Sequence, residues 1–161
     1  MEIRLRSTGQ VMLEDELRRW AKDNNGPSWN RTTDEVLEAL GADVVFEGPQ
    51  ATPQNHYQFS MRQGVEQIDG KWYTKYVLGP IFIDNEDATA AEQEAAYITQ
   101  KDAAQAESVR SQRTQLLKDS DWTQVADAPV DKTAWAAYRQ ALRDVPTQAG
   151  FPWDIQWPVE P

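Results

Sequence analysis

The chain has 161 residues, with 16 Lys+Arg against 26 Asp+Glu, a net charge of -10, no cysteine, one histidine and seven tryptophans. Without cysteine there is no disulfide framework, thiolate zinc site, iron–sulfur cluster or cysteine nucleophile, and the lone His56 cannot supply a multi-histidine metal site. The acidic balance argues against nucleic-acid binding, which relies on Lys/Arg to neutralise phosphates, and no apolar run comes near the ~18 residues that span a bilayer.

At roughly 150 residues per domain, the length suits one domain or two very small ones. Residues 1–47 read as a strand–helix module. Ile3 and Leu5 alternate with charged neighbours as in a strand, and Val11-Met12-Leu13 returns as a second one. Leu13, Leu17 and Trp20 recur at helical spacing, and Asp23 to Pro27 end that helix. Thr32 and Thr33 offer an N-cap, Val36, Leu37 and Leu40 an apolar face, Gly41 a C-cap, and Val44-Val45-Phe46 a strand. Residues 48–55 form a Pro-containing extended linker. Residues 56–84 read as a meander whose hairpin turns at Asp69-Gly70, with Trp72, Thr74 and Tyr76 on one face.

Residues 86–118 contain neither Gly nor Pro and predict a long helix. Its stripe, Ala91, Ala95, Ile98, Asp102, Gln105, Val109, Gln112 and Leu116, is small and partly polar, a weak seam for pairing with a second copy. Residues 119–161 read as a helix break, a second helix from Asp131 or Lys132 to about Asp144, and a tail with three prolines among aromatics. Asp119, Ser120 and Asp121 are expected to cap the break by accepting backbone N–H groups. The fold class is therefore α+β: a small N-terminal mixed module with a β-hairpin, a long helix, and a C-terminal helical hairpin closed by an extended Pro/Trp-rich tail.

No catalytic constellation stands out. His56 lies in a Pro/Asn/Gln linker without a companion nucleophile, the carboxylate pairs are explained as caps, and no glycine-rich phosphate loop occurs. No cofactor and no metal are expected. Four of the seven tryptophans follow residue 120, which marks that end as a mini-core or a recognition surface. Trp122 and Trp135 are assigned to the core, Trp153 and Trp157 to the surface. A DNA mimic would need arrayed carboxylates. Here 9 basic and 13 acidic residues over 1–85, and 7 and 13 over 86–161, are interspersed.

The stretches Arg113–Val130, Ala134–Pro146 and Gly150–Pro158 string together Leu116-Leu117, Ser120-Asp121-Trp122, Trp135, Tyr138-Arg139, Leu142-Arg143, Phe151-Pro152 and Trp157-Pro158. In this order they resemble the C-terminal domain of the bacteriophage tail assembly chaperone family over about residues 108–161, with Trp153 at a variable position. Leu37 to Val45, and Gly64 to Tyr73, are similar to the N-terminal part of short phage tail and tail-fibre-assembly proteins. The resemblance implies a non-enzymatic protein that binds a phage tail or tail-fibre protein, acting in the cytoplasm of the infected bacterium or in the virion tail. It implies a docking knob of Trp122, Trp135, Tyr138, Arg139 and Arg143, closed over by Phe151, Pro152, Trp157 and Pro158, with Trp153 also among the suspected partner-binding residues. Arg139 and Arg143 are then available to Asp119, Asp121, Asp144 or a partner carboxylate. The long helix serves as a spacer and an optional homo-oligomer seam. A structural component retained in the virion and a carbohydrate-binding tail module are the other readings; nucleic acid and membrane are not expected partners.

Overall fold

Ile3 and Leu5, separated by a charged residue, are both fully buried on one face of β1 (Glu2–Leu5). β1 is flanked on one side by the short β2 (Val11–Leu13) and on the other by β3 (Ala42–Phe46), both antiparallel to it. Between β2 and β3 lie α1 (Glu14–Asp23) and α2 (Asp34–Ala39). Leu17 and Leu37 from these helices join Ile3, Leu5, Met12 and Ala42 in the core, with Trp20, Trp29, Leu40 and Val44 packed around it. Thr33 caps α2 by accepting from Val36 N, and Gly41 follows it at φ 62.

The computed structural model describes all 161 residues and divides the chain into two units, Met1–Ile81 and Phe82–Pro161. The hairpin of β4 (Phe59–Ile68) and β5 (Lys71–Gly79) belongs to the first unit. It turns at Asp69 and Gly70, both at positive φ. β5 pairs with β3 in parallel through Val45↔Trp72 and Phe46↔Tyr73, giving one mixed sheet in the order β2-β1-β3-β5-β4. The strand–helix module and the meander thus share a single sheet. The path from β3 passes so close to β5 that a Cβ on Gly48 would lie 2.0 Å from the Thr74 carbonyl oxygen. Arg62 of β4 grips Glu2 of β1 with two parallel hydrogen bonds of 2.7 Å.

In the second unit, α3 (Ala90–Asp119) begins three residues beyond Asp87. The reason is a reciprocal cap. Thr89 Oγ1 accepts from Glu92 N (3.3 Å) and Glu92 Oε2 accepts from Thr89 N (2.9 Å). Asn85 Oδ1 meanwhile holds Asp87 N and Ala88 N in a turn. A 3-10 turn, Asp121–Gln124, leads towards α4 (Lys132–Asp144), whose N-cap Asp131 accepts from Thr133 N and Ala134 N. Along α3, Ala106 and Val109 are buried while Ala91, Ala95 and Gln112 are exposed, so only part of the expected stripe is covered.

Two measurements test this account of the first unit. Gly48→Ala forces backbone apart and is expected to lower stability by about 1–3 kcal/mol. Gly41→Ala meets open space and carries only the positive-φ cost of about 1 kcal/mol. Urea midpoints compare the two. The Arg62 hydrogen bond holds the Glu2 carboxyl below its ordinary 4.5. That contribution is present above pH 4.5 and is lost as pH falls through the lower folded value. Stability measured from pH 5 downward should fall less steeply in Arg62→Ala than in the parent chain.

Candidate functional site

The carboxyl end of a helix leaves four carbonyls without intrahelical partners, and carbonyls need donors. At the end of α3 those donors come from Ser120 and, across the turn, from Arg139 of α4. Ser120 Oγ donates to Leu116 O (2.8 Å) and lies 3.1 Å from Leu117 O. Arg139 Nη1 donates to Leu117 O (2.6 Å) and Ser120 Oγ (2.7 Å), and Nη2 donates to Asp121 Oδ1 (2.7 Å). Arg139 is only 7% exposed, whereas the Asp121 side chain is 66% exposed. The guanidinium therefore works mainly as a buried cap for α3, with one carboxylate on its outer edge. Thr123, fully buried, continues the clasp by donating to Ser120 O (2.6 Å). Lys132 Nζ donates to the carbonyls of Thr123 and Val125. The expectation that Asp119, Ser120 and Asp121 cap by accepting N–H groups is corrected here, because this terminus presents acceptors.

Around the clasp lies an aromatic core. Trp135, Tyr138 and Leu142, at i, i+3 and i+7 of α4, are buried, with Leu116, Leu117, Val130 and Trp157 packed against them. Trp135 meets Tyr138 edge-on at 5.6 Å and Trp122 at 5.9 Å. Burial raises the pKa of the Tyr138 hydroxyl, and the charges of Glu160 and Asp119 add to the rise. Trp122 is 53% exposed. Its assignment to the core is overturned: it sits in the 3-10 turn rather than on the inner face of α4, so Trp135 supports one side while the rest faces water.

The tail is not one extended strip. Gly150 O accepts from Trp153 N (2.9 Å) and Asp154 N (2.7 Å), closing a turn. A Cβ at Gly150 would come within 2.2 Å of Asp154 O, so the turn needs glycine there. The turn places the Phe151 ring 5.3 Å from the Arg110 guanidinium, and Trp153 Nε1 donates to Asp102 (2.7 Å). Gln148 and Gln156 then tie the tail to itself through two hydrogen bonds of 2.9 and 2.8 Å. Trp153 and Trp157 are half-buried rather than free surface.

Of the ten expected partner-binding residues, Trp135, Tyr138 and Arg139 are buried and build the knob instead of presenting a face. Phe151, Pro152, Trp153, Trp157 and Pro158 are half-buried. Trp122 and Arg143 are exposed, and Arg143 makes no ion pair; Asp144 instead accepts from Gln140 (3.0 Å). Ser120 is expected as a cap, though as an acceptor, and the contacts of Thr123, Lys132, Gln148 and Gln156 escaped sequence reasoning. Only Ser120 carried a signal, as a small hydroxyl just beyond a helix end.

The arrangement offers structural contacts rather than reacting groups. His56 is exposed in the linker, and no group of three His/Asp/Glu side chains is placed to hold a metal ion. In the first unit a cleft is lined by Arg6, Glu38, Asp43, Phe46, Lys71 and Trp72. Its charges are already engaged, since Arg6 bonds Glu38 (2.7 Å) and Asp43 (2.8 Å). The Arg4 guanidinium covers one face of the Trp72 ring at 3.8 Å. No helix is long and apolar enough to cross a membrane.

Residues 106–161 match the model of a family described as phage tail assembly chaperone protein. The match runs from the second half of α3 through the tail and contains the whole Arg139 clasp and aromatic core. No curated protein and no solved structure matches the chain.

Arg139→Lys keeps the charge but cannot reach three acceptors in the guanidinium plane. It should cost about 2–3 kcal/mol, as expected for buried hydrogen bonds to a charged group. Asp121→Asn, at the exposed edge, should cost under about 1 kcal/mol. Urea unfolding followed by tryptophan fluorescence measures both, and equal losses would contradict the division of roles.

Proposed function

We propose that the protein is a non-enzymatic assembly chaperone or adaptor for a bacteriophage tail or tail-fibre protein, and that it binds this partner through the second unit. The observation that carries the reading is the coincidence of the family match at residues 106–161 with the clasp, the aromatic core and the half-exposed Trp122. A chaperone of this kind holds an apolar segment of its client until assembly buries it. A rigid knob with a tryptophan left in water suits that task, because aromatic side chains dominate docking hot spots. Half of a tryptophan's surface is on the order of 100 Å², a useful anchor for its size. The protein then acts in the cytoplasm of the infected bacterium, and its contribution ends either when the tail is complete or by incorporation into it.

Co-expression with each tail and tail-fibre protein of the encoding phage tests the reading. One of them should become soluble, by several-fold in yield, only in the presence of this chain, and should co-purify with it. No effect on any tail protein would refute the proposal. Mass spectrometry of purified particles separates a transient role, in which virions lack the protein, from a retained component present in fixed copy number.

A further inference from the structure

The turn that joins α3 to α4 combines two features usually kept apart. Trp122 and Val125 are 53% and 52% exposed. They lie one turn apart, with Val125 N donating to Trp122 O (3.4 Å). The same stretch, Asp119 to Asp131, carries four carboxylates, Asp119, Asp121, Asp127 and Asp131, and no Lys or Arg. All four acids are exposed. Two cations offset part of this charge from within, and Asp119, Asp127 and Asp131 are left without an ion pair. The Lys132 ammonium is folded onto the carbonyls of Thr123 and Val125, and Arg139 is buried in its cap with a single carboxylate contact at Asp121.

We infer that this turn is the client-docking tip, and that its occupant is a basic segment of the tail protein: an aliphatic or aromatic anchor flanked by two or more Lys/Arg side chains. The inference rests on the chaperone reading and adds the chemistry of the partner. The ring of Trp122 is held against Trp135 at 5.9 Å, so the apolar anchor meets a pre-ordered surface. Charge complementarity selects the flanks, because a segment bearing Lys/Arg gains attraction from the acidic rim and an acidic one is repelled. The same argument disfavours tip-to-tip pairing of two copies, which would face each other acid to acid in a protein whose net charge is already -10.

The test pans the full chain against a displayed library of random twelve-residue peptides. The expected consensus is an apolar residue flanked by Lys/Arg. Its affinity should fall about tenfold in Trp122→Ala and several-fold when Asp127→Asn and Asp119→Asn are combined, and it should weaken on raising salt. Trp122 is half-exposed and Asp119 and Asp127 are exposed, which makes these variants suitable for folded protein; circular dichroism checks this. An acidic or uncharged consensus, no enrichment, or retention of the peptides by folded Trp122→Ala overturns the proposal. So does light scattering that shows self-association lost in Trp122→Ala. The co-expression assay tells the two failures apart. Solubilisation of a tail protein that persists in Trp122→Ala leaves the chaperone reading standing and removes this tip, whereas no solubilisation by the parent chain removes the reading itself.

Discussion

A guanidinium buried among the last carbonyls of a long helix governs the shape of the second unit. Taking an arginine out of water costs several kcal/mol, and because Arg139 Nε is buried without a partner, the two terminal nitrogens must supply the compensating hydrogen bonds. Arg139 finds three on one side of the turn: Leu117 O, Ser120 Oγ and Asp121 Oδ1. At about 1.5–3 kcal/mol for each buried hydrogen bond to a charged group, the two inner bonds, to Leu117 O and Ser120 Oγ, carry most of the compensation, and the exposed Asp121 contact adds less. The contact is therefore demanding. It is satisfied in one arrangement of α4 against the end of α3, and a slip of one residue would strand the charge. Hydrophobic burial by Trp135, Tyr138 and Leu142 supplies attraction, but apolar contact is tolerant of small shifts; the polar clasp sets the register.

Once that register is set, the rest of the tip follows. The 3-10 turn must leave α3 where Ser120 and Thr123 are held, which carries Trp122 outward against the edge of Trp135. The tail closes the unit from the other side. Trp157 packs into the aromatic core, while the Gly150 turn places Trp153 on Asp102 of α3. The aromatic residues of this region thus divide by task, with some filling the knob and Trp122 left at its outer edge.

Much of the local architecture was legible from residue pattern. Asp69-Gly70 located the hairpin, Asp131 the start of α4, and the alternation of Ile3 and Leu5 the buried face of β1, because each depends on neighbours within a few residues. The parallel pairing of β3 with β5 was not legible, since it depends on a chain crossing that no local pattern encodes. The same limit separates Trp122 from Trp135. Both are tryptophans near a helix, and only the capping of α3 by a residue 22 positions away from Leu117 decides which one faces water. The start of α3 shows a third case. The absence of Gly and Pro suggested helix from residue 86, yet the reciprocal cap of Thr89 and Glu92 fixed the boundary.

The central claim is that Arg139 orders the α3–α4 turn, and amide hydrogen exchange reads it directly. In Arg139→Met, which keeps the length of the side chain and removes every donor, the amides of Ser120, Thr123 and Val125 should lose protection while those in the middle of α3 keep theirs. Unchanged protection at these three amides would contradict the account, since the turn would then be held without the guanidinium, by apolar packing and the Ser120, Thr123 and Lys132 hydrogen bonds.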